Sequence, residues 1–262
     1  MEVLACFFIF FLGLAVGSFL NCFICRLALP GFSFKNWLGL KSRSYCPHCR
    51  HTLSWQDLMP VFSFVFLKGK CRYCCWKISW QYPLVETAVG AIFLLVFVLS
   101  GGFDQGLLKL IYFWAISSLL VVIFVYDLRH YIIPDSAVFP AIAIAGIFTC
   151  QFLISGQFEI FGRYLLSAAG AALFFFIVEA VSAGQWMGSG DVKLAFLIGL
   201  FLGWPSILIG LLSAFYAGAA TGLGLIIFKK KKLKSRIPFG PFLVGGTFVA
   251  LFFGEQLTGL LF

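Results

Sequence analysis

The chain is divided into apolar stretches, most of them roughly 20 residues long, the length a helix needs to cross a bilayer. They lie near 3–25, 84–101, 106–126, 136–155, 160–181, 192–203, 206–228 and 239–262. Strand-like alternation is absent, which excludes a membrane barrel. Hydrophobic residues make up 61% of the chain and charged ones 11%, with a mean hydropathy of +1.02. A soluble domain is nearer about half apolar and a quarter charged. The fold class that follows is an all-α polytopic membrane protein with about eight transmembrane helices. The run 192–203 is short for a span. The first 24 residues, MEVLACFFIFFLGLAVGSFLNCFI, lack a basic leader region and a small-x-small cleavage site. They read as a retained first helix rather than a signal peptide.

Between the first two runs the composition changes. Residues 26–82 carry Arg26, Lys35, Lys41, Arg43, Arg50, Lys68, Lys70, Arg72 and Lys77, together with closely paired cysteines. The chain therefore divides into a first helix (1–25), a polar insert (26–82) and a seven-helix core (83–262). Basic residues set the orientation. With the N-terminus outside, 17 of the 19 Lys and Arg fall in the cytoplasmic segments 26–82, 127–135, 182–193 and 229–238. Only Lys109 and Arg163 fall on the other side. The net charge of +9 thus reports topology and contact with anionic headgroups, with no nucleic acid implied.

The insert contains CPHC at 46–49 and CRYC at 71–74. Two C-x2-C turns separated by 21 residues present Cys46, Cys49, Cys71 and Cys74 with nearly the spacing of a structural zinc site. Two disulfides are the other reading. A cytoplasmic location, where thiols stay reduced, favours zinc. Cys75 is an extra candidate in register with nothing. His48 and His51 read as surface residues, and Cys6, Cys22, Cys25 and Cys150 as packing.

Ionisable groups at or inside spans are costly and point to function. Asp127 ends the run before DLRHYIIPD, and Asp191 opens another in WMGSGDVK. The topology puts both at one face and at similar depth. Two carboxylates at low dielectric cannot both ionise easily and share a proton, the arrangement of an aspartic protease. The glycines of GSG leave room for a substrate backbone and allow positive φ. Two other readings remain open: Asp191 simply caps its helix, or the pair serves a proton-coupled transporter. Asp135 suits a helix start, and so does Glu86. Both, with Lys193, are candidates for facing substrate. Glu179 has no assigned place.

GSFLNCFICRL at 17–27, CPHC at 46–49, KGKCRYC at 68–74, ISWQYPLVE at 78–86, DLRHYIIPD at 127–135, GSGDVKLA at 188–195 and PFGPFLVGG at 238–246 together resemble the bacterial type IV prepilin peptidases. That family comprises intramembrane aspartic proteases of the GxGD type. They remove the short basic leader of prepilins and type II secretion pseudopilins after a glycine, at the cytoplasmic face of the inner membrane. Many then methylate the new N-terminus with S-adenosylmethionine. The resemblance implies that Asp127 and Asp191 are catalytic. It makes Gly188, Ser189 and Gly190 the GxGD loop, and the four cysteines ligands of a structural Zn2+. Implied partners are the substrate's leader and apolar N-terminal helix, and membrane lipid. The chain departs from the family in having Asp57-Leu58-Met59 where Asn-Ile precedes the proline, and Ala28-Leu29 before Pro30. No glycine-rich loop of a familiar S-adenosylmethionine site is present.

Overall fold

A computed structural model describes residues 2–28, 44–228 and 237–261. The expectations for Lys35, Lys41, Arg43 and the basic run 229–236 lie outside the described residues. The described chain is helical, apart from two isolated antiparallel bridges, Tyr45 with Thr52 and Lys70 with Lys77. Its contacts divide it into two compact units, Met1–Ser118 and Leu119–Phe262.

In the first unit, α1 (Glu2–Leu27) and α3 (Gln81–Leu99) pack against each other. Glycines let the backbones touch. A Cβ on Gly13 would lie 2.7 Å from Gly90 Cα, and one on Gly17 would lie 2.7 Å from Glu86 Cα. The insert follows α1 with a 3-10 turn at Trp55–Leu58 and the short helix α2 (Phe62–Phe66). After α3 the chain turns through Gly101 and Gly102, both at positive φ, into α4 (Leu107–His130). Trp114 of α4 stacks on Phe93 at 5.1 Å and donates its indole N–H to the Phe93 carbonyl at 3.1 Å.

The second unit holds the end of α4, then α5 (Asp135–Ile154), α6 (Phe158–Ser182), α7 (Ser189–Leu202), α8 (Ser206–Ile227) and α9 (Gly240–Leu261). Tyr131 at φ 57° ends α4, and Pro134 precedes the first turn of α5. Positive φ at Ala183 and Gly184 ends α6, and Gly203 at φ 66° ends α7. Helix α7 touches α5, α6, α8 and α9. Leu194, Ala195 and Leu197 on it are fully buried.

Each of the eight apolar runs is a helix, within a few residues of its sequence limits. Seven described helices are long and apolar enough to cross a membrane. The exception is α7, the run 192–203. Its 14 residues rise about 21 Å, against a hydrocarbon thickness of about 30 Å. It is buried by its neighbours, and it carries Asp191.

Candidate active site and cysteine cluster

Asp127 sits in the last turns of α4 and is 4% exposed; Asp191 is the third residue of α7 and is 9% exposed. The fold brings them near enough for the charge of Asp191 to bear on Asp127. Each carboxylate is met by a backbone donor at a helix start. Gly188 N–H donates to Asp191 Oδ2 at 3.1 Å, while Asp191 N–H donates to the Gly188 carbonyl at 3.0 Å. Gly240, the first residue of α9, donates its N–H to the Asp127 carboxylate. Asp191 therefore does cap its own helix, with Asp127 near enough to feel its charge. Glu179 has a place too, because its charge also bears on Asp191.

The glycines act differently from the sequence expectation. Gly188 stands at φ −99°, and Gly190 is not in the positive-φ region either. What Gly190 provides is close packing: a Cβ there would lie 3.0 Å from Ile133 Cβ. The side of Gly188 is open, with Gly190 N, at 4.0 Å, the one atom that near to an added Cβ. Ser189 is exposed beside it. Ile133 also reaches Gly240, whose added Cβ would lie 3.4 Å from Ile133 Cδ1. Ile133 and Gly240 were not singled out from the sequence. The available signal was PFGP, which opens α9.

Lys193 and Asp135, both candidates for facing substrate, bind one another. Their ion pair is 2.7 Å long, and the Lys193 ammonium lies 5.1 Å from the centre of the Phe139 ring. The pair ties α7 to α5, two residues past Asp191. Beside the site, Leu128, Tyr131, Leu225, Pro238 and Phe242 help line an apolar cavity of about 210 Å³.

Glu86, in the first unit, is 6% exposed and accepts the Val61 N–H at 2.7 Å. The Ser18 hydroxyl bonds the same carboxylate. Glu86 is not at a helix start, because α3 begins at Gln81 and has no acid in its first turn; the carboxylate instead holds the insert to the helix pair.

The four cysteines converge. Their sulfurs all lie within 4.8 Å of one another, with Cys46 and Cys74 3.9 Å apart. Sulfurs about 2.3 Å from a tetrahedral zinc would be about 3.8 Å apart. Both turns have the same build. The N–H of Cys46 donates to the His51 carbonyl, and that of Cys71 donates to the Trp76 carbonyl. Arg50 and Cys75 follow their turns at φ 58° and 57°. Cys75 is therefore the counterpart of Arg50, a turn position. His48 stacks on Trp76 at 4.1 Å, and His51 on Tyr73 at 3.7 Å, so each histidine joins one turn to the other. All nine cysteines are free thiols. Burial opposes ionisation of Cys46, but the N–H groups of Cys49 and His48 outweigh it and bring the thiol down to about 7. The Trp76 N–H works to lower Cys74, yet burial and the neighbouring sulfurs push it up to about 12. Sulfurs crowded in this way fit a cation that would balance their charge.

Two family patterns match the chain: the Bacterial Peptidase A24 N-terminal domain over residues 11–100, and the Type IV leader peptidase family over 114–223. The prepilin leader peptidase/N-methyltransferase of Burkholderia pseudomallei (strain K96243) is 32% identical, covering 95% of this chain and 86% of the relative. The chain belongs to the type IV leader peptidase family. Proteins of the same name from Aeromonas hydrophila and Bacillus subtilis (strain 168) are each 30% identical over 95% of this chain, covering 91% and 94% of their own lengths. No solved structure matches. Nothing in these matches supports a transporter. The first match lies within the first unit, and the second lies mostly in the second unit.

Proposed function

We propose that the chain is an intramembrane aspartic endopeptidase that removes the leader from prepilins or pseudopilins, and that it methylates the new N-terminus. The observation that carries the peptidase reading is the pair of buried carboxylates, Asp127 and Asp191, on different helices within one unit. They share one proton. The ionised partner takes a proton from a water, whose oxygen attacks the scissile carbonyl carbon. The protonated partner gives its proton to the carbonyl oxygen. Collapse of the tetrahedral intermediate then breaks the C–N bond as a proton passes to the amine. The pair acts as a unit, so neither residue has a fixed role.

The exposed Gly188 and Ser189 leave a path for an extended substrate strand beside Asp191. The apolar cavity by Tyr131 and Pro238 suits the hydrophobic start of a pilin helix. The distribution of basic residues supports an N-terminus outside the inner membrane and a site at its cytoplasmic face. Cys46, Cys49, Cys71 and Cys74 would hold a structural Zn2+, which would brace the insert. Methylation rests on the names of the relatives, and its donor would be S-adenosylmethionine.

The test is mass spectrometry of a prepilin incubated with the full chain and S-adenosylmethionine in lipid. Loss of the leader and gain of one methyl group are expected. Cleavage without methylation would make the chain a peptidase alone. An intact prepilin would overturn the assignment.

A further inference from the structure

We infer that residues 58–67 of the insert re-enter the membrane and lie among lipid acyl chains beside α1, tied there by Glu86. The stretch LMPVFSFVFL carries no charge and is bounded by Asp57 and Lys68. Charge-free apolar segments of about 10 residues are too short to span, but they suit a re-entrant or interfacial element.

The depth comes from the register of α1 on α3. Gly13 lies over Gly90, Gly17 over Glu86, and Asn21 donates its amide to the Tyr82 carbonyl at 3.0 Å. The two helices thus run antiparallel in constant register. Their polar margin is marked by Asn21, Gln81 and Arg26, with Gln81 Nε2 donating to Asn21 Oδ1 at 3.1 Å. From Asn21 back to Phe11 the helix rises about 15 Å, and from Arg26 about 22 Å. Half the hydrocarbon thickness is about 15 Å. Phe11 is therefore deep in the bilayer. Phe62 of the insert stacks on it, with ring centroids 6.3 Å apart and planes 10° from parallel. A segment touching Phe11 cannot be wholly outside the membrane.

Its surface fits that position. Phe62, Val65 and Phe66 are 43%, 64% and 81% exposed. They continue the apolar face on which Phe7, Phe8 and Phe11 of α1 are exposed. Trp80, which packs on Phe64 at 4.9 Å, and Lys68 and Lys70 provide the aromatic and basic residues expected at headgroup level. Because α1 ends and α3 begins at the same margin, the segment must enter and leave on that side.

Irregular backbone at membrane depth needs its polar groups met by protein. The chain turns at Val61, whose φ of 60° and ψ of −47° are rare for a β-branched residue. Phe62 N–H donates to the Pro60 carbonyl at 2.6 Å, closing a γ-turn. The Val61 N–H goes to Glu86, which lies five residues inside α3. Glu86 is the anchor that makes this turn tolerable in lipid.

The test uses the full chain in phosphatidylethanolamine/phosphatidylglycerol vesicles. A nitroxide is attached through a ketone-bearing residue, since nine native cysteines rule out thiol labelling. Collision with oxygen, which partitions into lipid, is compared with collision with a water-soluble nickel chelate. Position 66 should match lipid-facing position 8, with high oxygen and low nickel collision, and position 73 should show the reverse. Glu86→Ala should raise nickel collision at 66 at least several-fold, while Glu86→Gln, which keeps an acceptor, should not. Nickel collision at 66 equal to that at 73 would overturn the inference. Exclusion of both probes at 66 would overturn it too, because a second protein surface would then cover the segment.

Discussion

Gly240 and Asp127 are in direct contact: a Cβ at residue 240 would lie 2.5 Å from Asp127 Oδ2 and 3.2 Å from its Cγ. The Gly240 N–H donates to that same carboxylate. Helix α9 therefore fixes where the end of α4 presents its acid. Gly240→Ala should displace the carboxylate. A misplacement near 1 Å costs about 100-fold in rate, so a loss of that order in kcat is expected. The atom in the way is the end of a side chain rather than backbone, so the melting temperature should change little. Gly245→Ala is the control, since a Cβ there meets nothing within 4 Å. Equal activity of Gly240→Ala and wild type would remove Gly240 from the site.

Lys193 and Asp135 join α7 to α5 through a partly exposed pair. Such pairs add about 1 kcal/mol or less to stability. Their value here is alignment of Asp191. Lys193→Ala and Asp135→Ala should each lower kcat several-fold with little change in melting temperature. The exchanged pair, Asp135→Lys with Lys193→Asp, should recover most of the loss. If the exchange is as inactive as the singles while KM rises, the two residues contact substrate instead.

Metal removal separates the two units. Purified protein should hold one zinc per chain, by elemental analysis, and Cys46→Ser or Cys71→Ser should lose it. Chelation should open the cysteine turns, residues 44–57 and 68–80, to limited proteolysis while the helices of the second unit stay protected. Unchanged proteolysis after complete metal removal would show that the insert stands without an ion.

Asp57 offers a pH test. Its side chain, 4% exposed, accepts from Arg72 Nε at 2.7 Å, Tyr73 at 3.2 Å and the Ser54 hydroxyl at 2.8 Å. Burial would raise its carboxyl, but Ser54, Arg72 and Tyr73 together hold it below the usual 3.8. A depressed carboxyl stabilises the fold above its unfolded value, and that contribution fades as pH falls through the folded one. Asp57→Asn should weaken the insert by about 1 kcal/mol near neutrality. The difference in denaturant midpoint from wild type should hold down to the unfolded value, about 3.9, shrink only below it, and vanish once the pH is under the depressed folded value. A difference that persists in acid would contradict this role.

The helices were legible because each spans an apolar run with Gly, Pro or charge at its ends. The cysteine site was legible because ligand spacing is local. The Asp127–Asp191 pairing could be guessed from topology alone. What joins them could not, since Gly240 and Ile133 act through the absence or shape of a side chain in contact across helices. The same limit hid Glu86. Its acceptor role depends on Val61, 25 residues away and held at an unusual backbone angle. Glu86 reads as a helix start, yet α3 begins five residues earlier at Gln81, and packing against Val61 is what gives the carboxylate its partner.

The central claim is that Asp127 and Asp191 together cut the substrate. The most direct measurement is leader release from a prepilin in lipid vesicles by wild type, Asp127→Asn and Asp191→Asn, each first shown to retain its helical content. Both variants should fall to background, and the double variant should be no worse than either single one, because the pair acts as a unit. Cleavage at near wild-type rate by either single variant would contradict the account.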